Sequence, residues 1–351
     1  MTADPFAQLF RSSAELFVQS VDLAGDRLLV QRMAEVDYAQ ASFLDQRILT
    51  EGRARQWFGW DEVEQLTGPL PCTAQAIFHI GHVGSTLLSR LLGEVPGVLG
   101  VREPVLLRTL AELRRLRDRP ESPWSPERFD HRTAMALGWL SRTFRPDQRA
   151  LIKATSFVSD LAPAMLAHGQ RALFLTVRPD IYLPTILAGE ASVQELGALS
   201  ATRLQRLHGR MGEEPWRLWA LSLGERAALG WACEMAALVD AEDAAAAGQL
   251  LWVDFDRFLD QPAEMLTVSA KHFGYVVENA QAETLVSGPI MSRYSKAPEH
   301  AYSPQLRHDV LAAARREQAD EIARGLAWLE RAARDYPLIA RALERGTRGG
   351  H

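Results

Sequence analysis

Residues 76–92 (AIFHIGHVGSTLLSRLL) constrain the fold of this chain more than any other stretch. The apolar run over 76–80 predicts a buried strand, and the two glycines that follow predict a turn. Two hydroxyl residues then open an amphipathic helical pattern. A strand, a glycine turn and a helix N-terminus bring free backbone N–H groups to one point, which predicts a phosphate-binding loop. The residues expected to hold the phosphate are Gly81, Val83, Gly84, Ser85 and Thr86.

The same segment indicates which nucleotide this loop suits. The ATP-binding version of the loop, G-x-x-x-x-G-K-[ST], has a lysine directly before its hydroxyl residue. Here Gly84 occupies that position. The sequence therefore predicts a nucleotide, but it does not favour Mg-ATP.

Composition and charge exclude several classes of protein. The chain has 351 residues, of which 47% are hydrophobic and 24% charged, as expected of a globular protein with one large domain or two modest ones. A formal net charge of −5 argues against nucleic acid as a general partner. A local basic pocket for a small anion remains compatible with this balance.

Cysteine usage and hydropathy indicate the compartment. The two cysteines, Cys72 and Cys233, are far apart and have no metal-ligand spacing, so we expect a reducing environment and neither a disulfide framework nor structural zinc. No stretch approaches the about 18 consecutive apolar residues of a membrane span. Residues 1–20 lack the apolar segment of a signal peptide. These features predict a cytoplasmic protein.

The first part of the chain differs in pattern from the rest. Residues 1–70 carry imperfect helical stripes, one of them through Leu28, Leu29 and Met33, and predict a helical N-terminal appendage. The Gly68–Pro71 cluster predicts a linker. Residues 74–347 follow as one α/β domain.

In that domain apolar runs alternate with helical patterns, which predicts a parallel sheet covered by helices on both faces. The fold class is thus a three-layer, P-loop-like α/β fold with a central parallel sheet, helical insertions and the N-terminal appendage. The predicted strands are 76–80, 98–101, 150–154, 171–177 and 250–255. The predicted helices include 83–93, 105–117, 158–168, 224–246 and a helical hairpin over 305–347.

Charged residues follow three of the predicted strands. Glu103, Lys153 and Arg178 each come at or just after the carboxyl end of a strand. Ligands of open parallel sheets bind at that edge, so these side chains predict an anion site with a built-in base. Thr185 lies seven residues after Arg178, and the remaining candidates, Ser295 and Lys296, lie in a late loop.

These segments, in their order and spacing, resemble the PAPS-dependent sulfotransferases, and in particular the bacterial enzymes similar to tyrosylprotein sulfotransferases. The resemblance covers roughly residues 74–300. The family's 5′-phosphosulfate loop, R-S-G-T-T-L, falls on residues 82–87, and its catalytic glutamate falls on Glu103. The segment over 250–259, together with Gln261 and Pro262, also looks like the family's strand-plus-helix segment.

The resemblance implies a role for each candidate. Glu103 would be the general base, and Lys153 and His82 would neutralise the leaving phosphate. The arginine and hydroxyl pair that hold the 3′-phosphate fall on Arg178 and Thr185. The nucleotide-covering Ser-Lys pair falls on Ser295 and Lys296.

Two departures from the family pattern affect these assignments. His82 stands where the family has Arg or Lys, and a histidine supplies charge only when it is protonated. The spacing between Arg178 and Thr185 is one residue shorter than in the family, with Pro184 between them. Thr185 is therefore the weaker assignment of that pair.

Together these features predict transfer of a sulfuryl group from PAPS to a hydroxyl-bearing acceptor by in-line displacement. Side-chain and backbone donors would carry the positive charge, and no metal is required. The acceptor, whether peptide tyrosine, glycan, lipid or small molecule, has no sequence signature. Two alternatives stay open: a P-loop nucleotide kinase and a non-catalytic nucleotide-binding protein on the same fold.

Overall fold

The computed structural model describes residues 4–293 and 303–347. The strands in these ranges are β1 (Leu16–Asp22), β2 (Arg27–Arg32), β3 (Arg55–Gly59), β4 (Gln75–His79), β5 (Val98–Arg102), β6 (Arg149–Lys153), β7 (Ala172–Thr176) and β8 (Leu250–Asp254).

The helices begin with three in the N-terminal region, α1 (Pro5–Ser12), α2 (Glu35–Gln40) and α3 (Trp60–Thr67). The helices between β4 and β8 in the chain are α4 (Ser85–Gly93), α5 (Val105–Leu116), α6 (Pro126–Leu140), α7 (Ala162–Leu166), α8 (Pro179–Leu187), α9 (Glu190–Met211) and α10 (Leu223–Asp243). The last six are α11 (Phe255–Asp260), α12 (Pro262–His272), α13 (Asn279–Val286), α14 (Pro304–Glu317), α15 (Ala319–Asp335) and α16 (Pro337–Thr347).

A five-stranded parallel sheet in the order β5-β6-β4-β7-β8 forms the centre of the fold. The inner strands β4 and β7 are buried along their whole length, because helices cover both faces. The predicted α/β fold class and all five predicted strands are confirmed, with strand ends that differ by at most one residue.

The strand order determines where a ligand can bind. After β4 the chain moves toward one edge of the sheet, where β5 lies, whereas after β7 it moves to β8 at the opposite edge. Connections that diverge in this way leave a crevice at the carboxyl ends of the two neighbouring strands. The predicted phosphate-binding loop directly follows β4 and therefore lies at this crevice.

Helix α10 is the most deeply buried helix near the sheet. Its residues are apolar on nearly every side, and small residues let neighbours approach closely. A Cβ on Gly224 would lie 1.8 Å from the Glu321 backbone oxygen of α15, so glycine is required at this crossing. The indole of Trp231 donates a hydrogen bond of 2.9 Å to the Val177 carbonyl and holds α10 at the end of β7.

The prediction of a helical N-terminal appendage is wrong in its centre. Strands β1, β2 and β3 form an antiparallel sheet, and Leu28 and Leu29, assigned above to a helical stripe, lie in β2. A turn makes the hairpin between β1 and β2: the Asp22 carboxylate accepts a hydrogen bond from the Gly25 N–H, and Asp26 has a φ of +48°. Two adjacent leucines fit either a helix or a strand. Here the turn brings the leucines beside β1, and they pair with it as part of a strand.

The N-terminal region also packs on the sheet domain. Arg142, on the segment after α6, donates hydrogen bonds to the carbonyls of Phe10 and Leu16, and the apolar side chains of both regions share one buried cluster. The predicted boundary near residue 70 stays a prediction. The C-terminal region forms α14, α15 and α16, three helices where a two-helix hairpin was predicted. Of the helices described, none has the length and apolar character needed to cross a bilayer.

Candidate active site

The loop between β4 and α4 has a backbone shaped by positive φ angles. Gly81 has a φ of +88°, His82 of +54° and Gly84 of +68°. Gly84 is the N-cap of α4. The first hydrogen bond of this helix runs from the Leu88 N–H to the Gly84 carbonyl. The N–H groups of the first turn therefore have no partner within the helix, and they point out of its N-terminus together with the positive end of the helix dipole.

The predicted hydroxyl residues lie where such a loop needs them. Ser85 and Thr86 are both buried in the first turn of α4. The Thr86 hydroxyl oxygen has no hydrogen-bond partner among the residues that the structure describes. A buried hydroxyl without a partner costs about 1–3 kcal/mol, so this position fits a bound anion that would accept its hydrogen bond.

His79, the last residue of β4, fixes the start of the loop. One ring nitrogen, Nε2, lies 2.8 Å from the Ala154 carbonyl, and the other, Nδ1, lies 3.0 Å from the Gly81 N–H. A carbonyl can only accept and a backbone N–H can only donate, so Nε2 carries the proton. His79 thus ties the loop between β4 and α4 to the residue after β6 and has a structural role.

Gly84 is required for a second reason besides its φ angle. A Cβ at this position would lie 1.9 Å from Cε2 of Phe255, the residue that follows β8. The Phe255 ring stacks on Phe258 with centroids 6.2 Å apart, and the guanidinium of Arg307 lies over its face at 5.5 Å. The loop therefore touches the end of β8, and no side chain fits at Gly84 without moving Phe255.

Glu103 and Lys153 meet directly at the carboxyl edge of the sheet. The Lys153 ammonium, which is completely buried, contacts the Glu103 carboxylate, which is 17% exposed. The Glu103 N–H also donates a hydrogen bond of 2.7 Å to the Lys153 carbonyl. The Phe43 ring, from the N-terminal region, lies 5.4 Å from the ammonium, so this region helps to enclose the pair.

The backbone of Glu103 is unusual. It has a φ of +50°, and the only non-glycine residues with positive φ in the described ranges are Asp26, His82 and Glu103. Such conformations cost about 1–3 kcal/mol and concentrate at functional sites. Two of the three are predicted catalytic residues, whereas Asp26 lies in a hairpin turn.

His82 turns toward α9, an element that the sequence did not connect with the loop. Its Nε2 lies 3.4 Å from a carboxylate oxygen of Glu195, and its Nδ1 lies 3.5 Å from the Ser192 hydroxyl. The imidazole is largely buried, with 17% of the side chain exposed.

Arg178 and Thr185 give a less favourable picture of the predicted 3′-phosphate site. Arg178 is the N-cap of α8 at the carboxyl edge of the sheet, but two of its three guanidinium nitrogens, Nη2 and Nε, donate to the Asp180 carboxylate at 2.7 and 3.0 Å. These hydrogen bonds raise the pKa of the guanidinium above its usual range. The Thr185 hydroxyl donates to the Ile181 carbonyl of its own helix. Their role in phosphate binding stays a prediction.

The predicted covering residues Ser295 and Lys296 lie outside the described residues. The next described element is α14, in which Arg307 binds the Asp256 carboxylate at 2.6 Å. Arg307, Phe255 and Glu195 are neighbours of the loop that the sequence analysis missed. Phe255 had a usable signal, because it is the last residue of a predicted strand of the same sheet; Arg307 and Glu195 had none.

Within the part of the chain described, no group of three or more His, Cys, Asp or Glu side chains is placed to hold a metal ion. The available charges at this edge are instead the Glu103–Lys153 pair, the N-terminus of α4 and the arginines near β7 and β8.

Comparison with known proteins finds a likeness at the level of solved structures. No protein-family model and no curated protein matches the chain. Among solved structures it is similar to the sulfotransferase domain of the curacin biosynthetic pathway, with a TM-score of 0.39, 14% identity and coverage of 71% of this chain and 91% of that one.

Two further similar structures are also sulfotransferases. The domain from the Synechococcus PCC 7002 olefin synthase has a TM-score of 0.36 and 17% identity, with coverage of 74% and 95%. Mouse sulfotransferase SULT7A1, complexed with PAP, has a TM-score of 0.35 and 8% identity, with coverage of 73% and 89%. All three TM-scores lie below 0.5, so the residues of the site, and not this likeness, carry the functional conclusion.

Proposed function

We propose that this protein is a sulfotransferase that moves a sulfuryl group from PAPS to a hydroxyl-bearing acceptor, with Glu103 as general base. The observation that supports it best is the convergence of a glycine loop and a carboxylate–ammonium pair. His79 joins Gly81 of the loop to Ala154, and the preceding residue, Lys153, contacts Glu103. This convergence supports a proposal in which an acid–base group acts beside an anion bound by the loop.

Binding of the nucleotide would use the loop. Backbone N–H groups of residues 83–86 and the hydroxyls of Ser85 and Thr86 would hold the 5′-phosphosulfate of PAPS. Arg178, with Thr185 behind it, would bind the 3′-phosphate once the arginine leaves Asp180, and Ser295 and Lys296 would cover the nucleotide. PAPS supplies the activated sulfuryl group when it is bound.

Catalysis would depend on position and charge. The Glu103 carboxylate would take the proton from the acceptor hydroxyl while the hydroxyl oxygen attacks the sulfur atom of PAPS, in line with the bond to the leaving phosphate. Lys153 and His82 would supply positive charge as the leaving phosphate becomes more negative. Because Lys153 is also the partner of Glu103, one buried ammonium would serve both the base and the leaving group.

The kinase alternative has little support in the loop. A Walker lysine would replace Gly84, and Phe255 already fills the space into which that side chain would begin. A bacterial enzyme similar to tyrosylprotein sulfotransferases and a cytoplasmic location both remain our expectation from the sequence.

Titration calorimetry with adenosine 3′,5′-bisphosphate tests nucleotide binding without knowledge of the acceptor. We expect binding of this compound and none of Mg-ATP at the same concentration. A folded protein that releases no heat with the bisphosphate would contradict the proposal.

Turnover is tested by release of adenosine 3′,5′-bisphosphate from PAPS in the presence of a panel of phenols and alcohols. Glu103→Gln should leave nucleotide binding intact and lower turnover by about 10²–10⁴-fold. Glu112→Gln is the matched control, because it removes an exposed carboxylate on α5 that pairs only weakly with Arg108. Tight bisphosphate binding without turnover on any acceptor would favour the non-catalytic alternative.

A further inference from the structure

Helix α9 carries a polar stripe that runs away from the phosphate loop. Residues at spacings of three and four share one face of a helix, and on α9 this face carries Ser192, Glu195, Arg203, Arg206 and Arg210. The first two meet His82 of the loop. The three arginines meet carboxylates of other elements.

The arginine end of the stripe is a buried ionic network. Arg206 binds both Glu234 of α10 and Asp160, which lies in the turn after β6, with distances of 2.8 and 2.9 Å. The exposed fractions of the Arg206 and Glu234 side chains are 2% and 0%. Breaking a buried pair of this kind leaves an uncompensated charge, so the network holds α9 in one register against α10 and the sheet edge.

Arg203 connects this network to the loop end of the helix. Its guanidinium lies 3.2 Å from Glu234 and 3.9 Å from Glu195. Glu195 is thus held between a buried arginine, which belongs to the fixed network, and the imidazole of His82. Since 43% of its side chain is exposed, Glu195 borders the open side of the site.

The contacts of His82 limit what this histidine can donate. A neutral imidazole has a single N–H, and the Glu195 carboxylate can only accept a hydrogen bond. Because Nε2 faces Glu195 and Nδ1 faces the Ser192 hydroxyl, both ring nitrogens are directed at α9, and the ring would act on a ligand in the loop through its positive charge when both nitrogens are protonated. An adjacent carboxylate is the partner that such a ring requires.

We propose that Glu195 is a positioning residue that holds the His82 imidazole at the 5′-phosphate end of the nucleotide site. The inference rests on the proposed function, because it assumes that the loop binds the 5′-phosphate. It explains how a histidine takes the place of the family's Arg or Lys, and it makes α9 part of the nucleotide site.

The test compares two nucleotides that differ only at the 5′ position. Affinities for adenosine 3′,5′-bisphosphate and adenosine 3′-monophosphate are measured by calorimetry, and their ratio reports on the loop alone. Glu195→Gln should lower this ratio about three- to tenfold, as expected for loss of a partly exposed ion pair. Glu190→Gln, the same change at the start of the same helix, should leave the ratio unchanged.

A double-mutant cycle shows whether Glu195 acts through His82. In a His82→Ala background, Glu195→Gln should have no further effect on the ratio. In a His82→Arg background, with a permanent cation, the ratio should be high and insensitive to Glu195→Gln. An effect of equal size in all three backgrounds, or tighter bisphosphate binding by Glu195→Gln, would overturn the inference.

A readout without nucleotide separates this inference from the proposed function. The side-chain ¹⁵N resonances of His82 should shift in Glu195→Gln and not in Glu190→Gln. If they shift while the wild-type protein binds no bisphosphate, the proposed function fails and the nucleotide role of Glu195 fails with it. If the bisphosphate binds but the resonances do not respond, the proposed function stands and Glu195 is not a positioning residue.

Discussion

Replacement of Gly84 by alanine should damage the site more than the same replacement at Gly81. Both glycines have a positive φ, +68° and +88°, which costs a residue with a Cβ about 1–2 kcal/mol. At Gly81 the new Cβ would meet Ser156 at 3.5 Å, an ordinary contact. At Gly84 it would lie 1.9 Å from the Phe255 ring.

The clash at Gly84 adds a second contribution. Phe255 is 7% exposed and is held between Phe258 and Arg307, so the ring cannot move without disturbing them. Overpacking of this kind costs about 1–3 kcal/mol. We therefore expect Gly81→Ala to lower the free energy of unfolding by about 1–2 kcal/mol, and Gly84→Ala to lower it by about 2–5 kcal/mol.

Urea denaturation followed by circular dichroism measures both values, and bisphosphate calorimetry shows whether the loop still binds. The clash contribution should disappear when Phe255 is shortened, so Gly84→Ala should cost about 1–3 kcal/mol less in a Phe255→Ala background than in the wild type. Equal losses for the two glycine variants, or no relief in the Phe255→Ala background, would refute the reasoning.

Other groups give further expectations. The pKa of Asp160 lies below its usual 3.8, because Arg206 and Arg210 together outweigh the burial that by itself raises it. The stabilisation by this carboxylate is therefore complete above about pH 3.8 and is lost as the pH falls through the lower pKa of the folded state. Asp160→Asn should lower the free energy of unfolding by about 3–5 kcal/mol at pH 7 and flatten the acid side of a plot of stability against pH. An unchanged plot would contradict this. Burial raises the pKa of Cys233 to about 11, so a thiol reagent at pH 8 should modify the partly exposed Cys72 first and Cys233 only after denaturation. Equal rates for both thiols in the native protein would show that Cys233 is not enclosed.

Part of the fold could be predicted because its signals are local. The run over 76–80 is apolar at every position except His79, as a strand buried on both faces must be, and glycines mark the turn after it. The order of such strands and helices along the chain is enough to predict a parallel sheet with a ligand site at its carboxyl edge. The meeting of Glu103 and Lys153 follows from that edge, because Glu103 comes directly after β5, Lys153 ends β6, and these two strands are neighbours in the sheet.

The N-terminal region shows where local signals are insufficient. Leu28 and Leu29 satisfy a helical stripe, but β2 gains its hydrogen bonds from β1 and β3 on either side. A strand depends on partners that are distant in sequence, whereas a helix supplies its own hydrogen bonds. Periodicity over a short window therefore cannot separate the two.

What the sequence determined by itself is the strand, glycine turn and helix over 76–92, the parallel sheet and the edge at which charged residues gather. Only the tertiary structure decided which groups those residues meet: Phe255 against Gly84, Asp180 on Arg178, and Glu195 beside His82. The physical reason is that these two kinds of feature depend on residues at different separations along the chain. Backbone conformation and strand burial depend on neighbours along the chain, while the partner of a side chain depends on how separate elements pack.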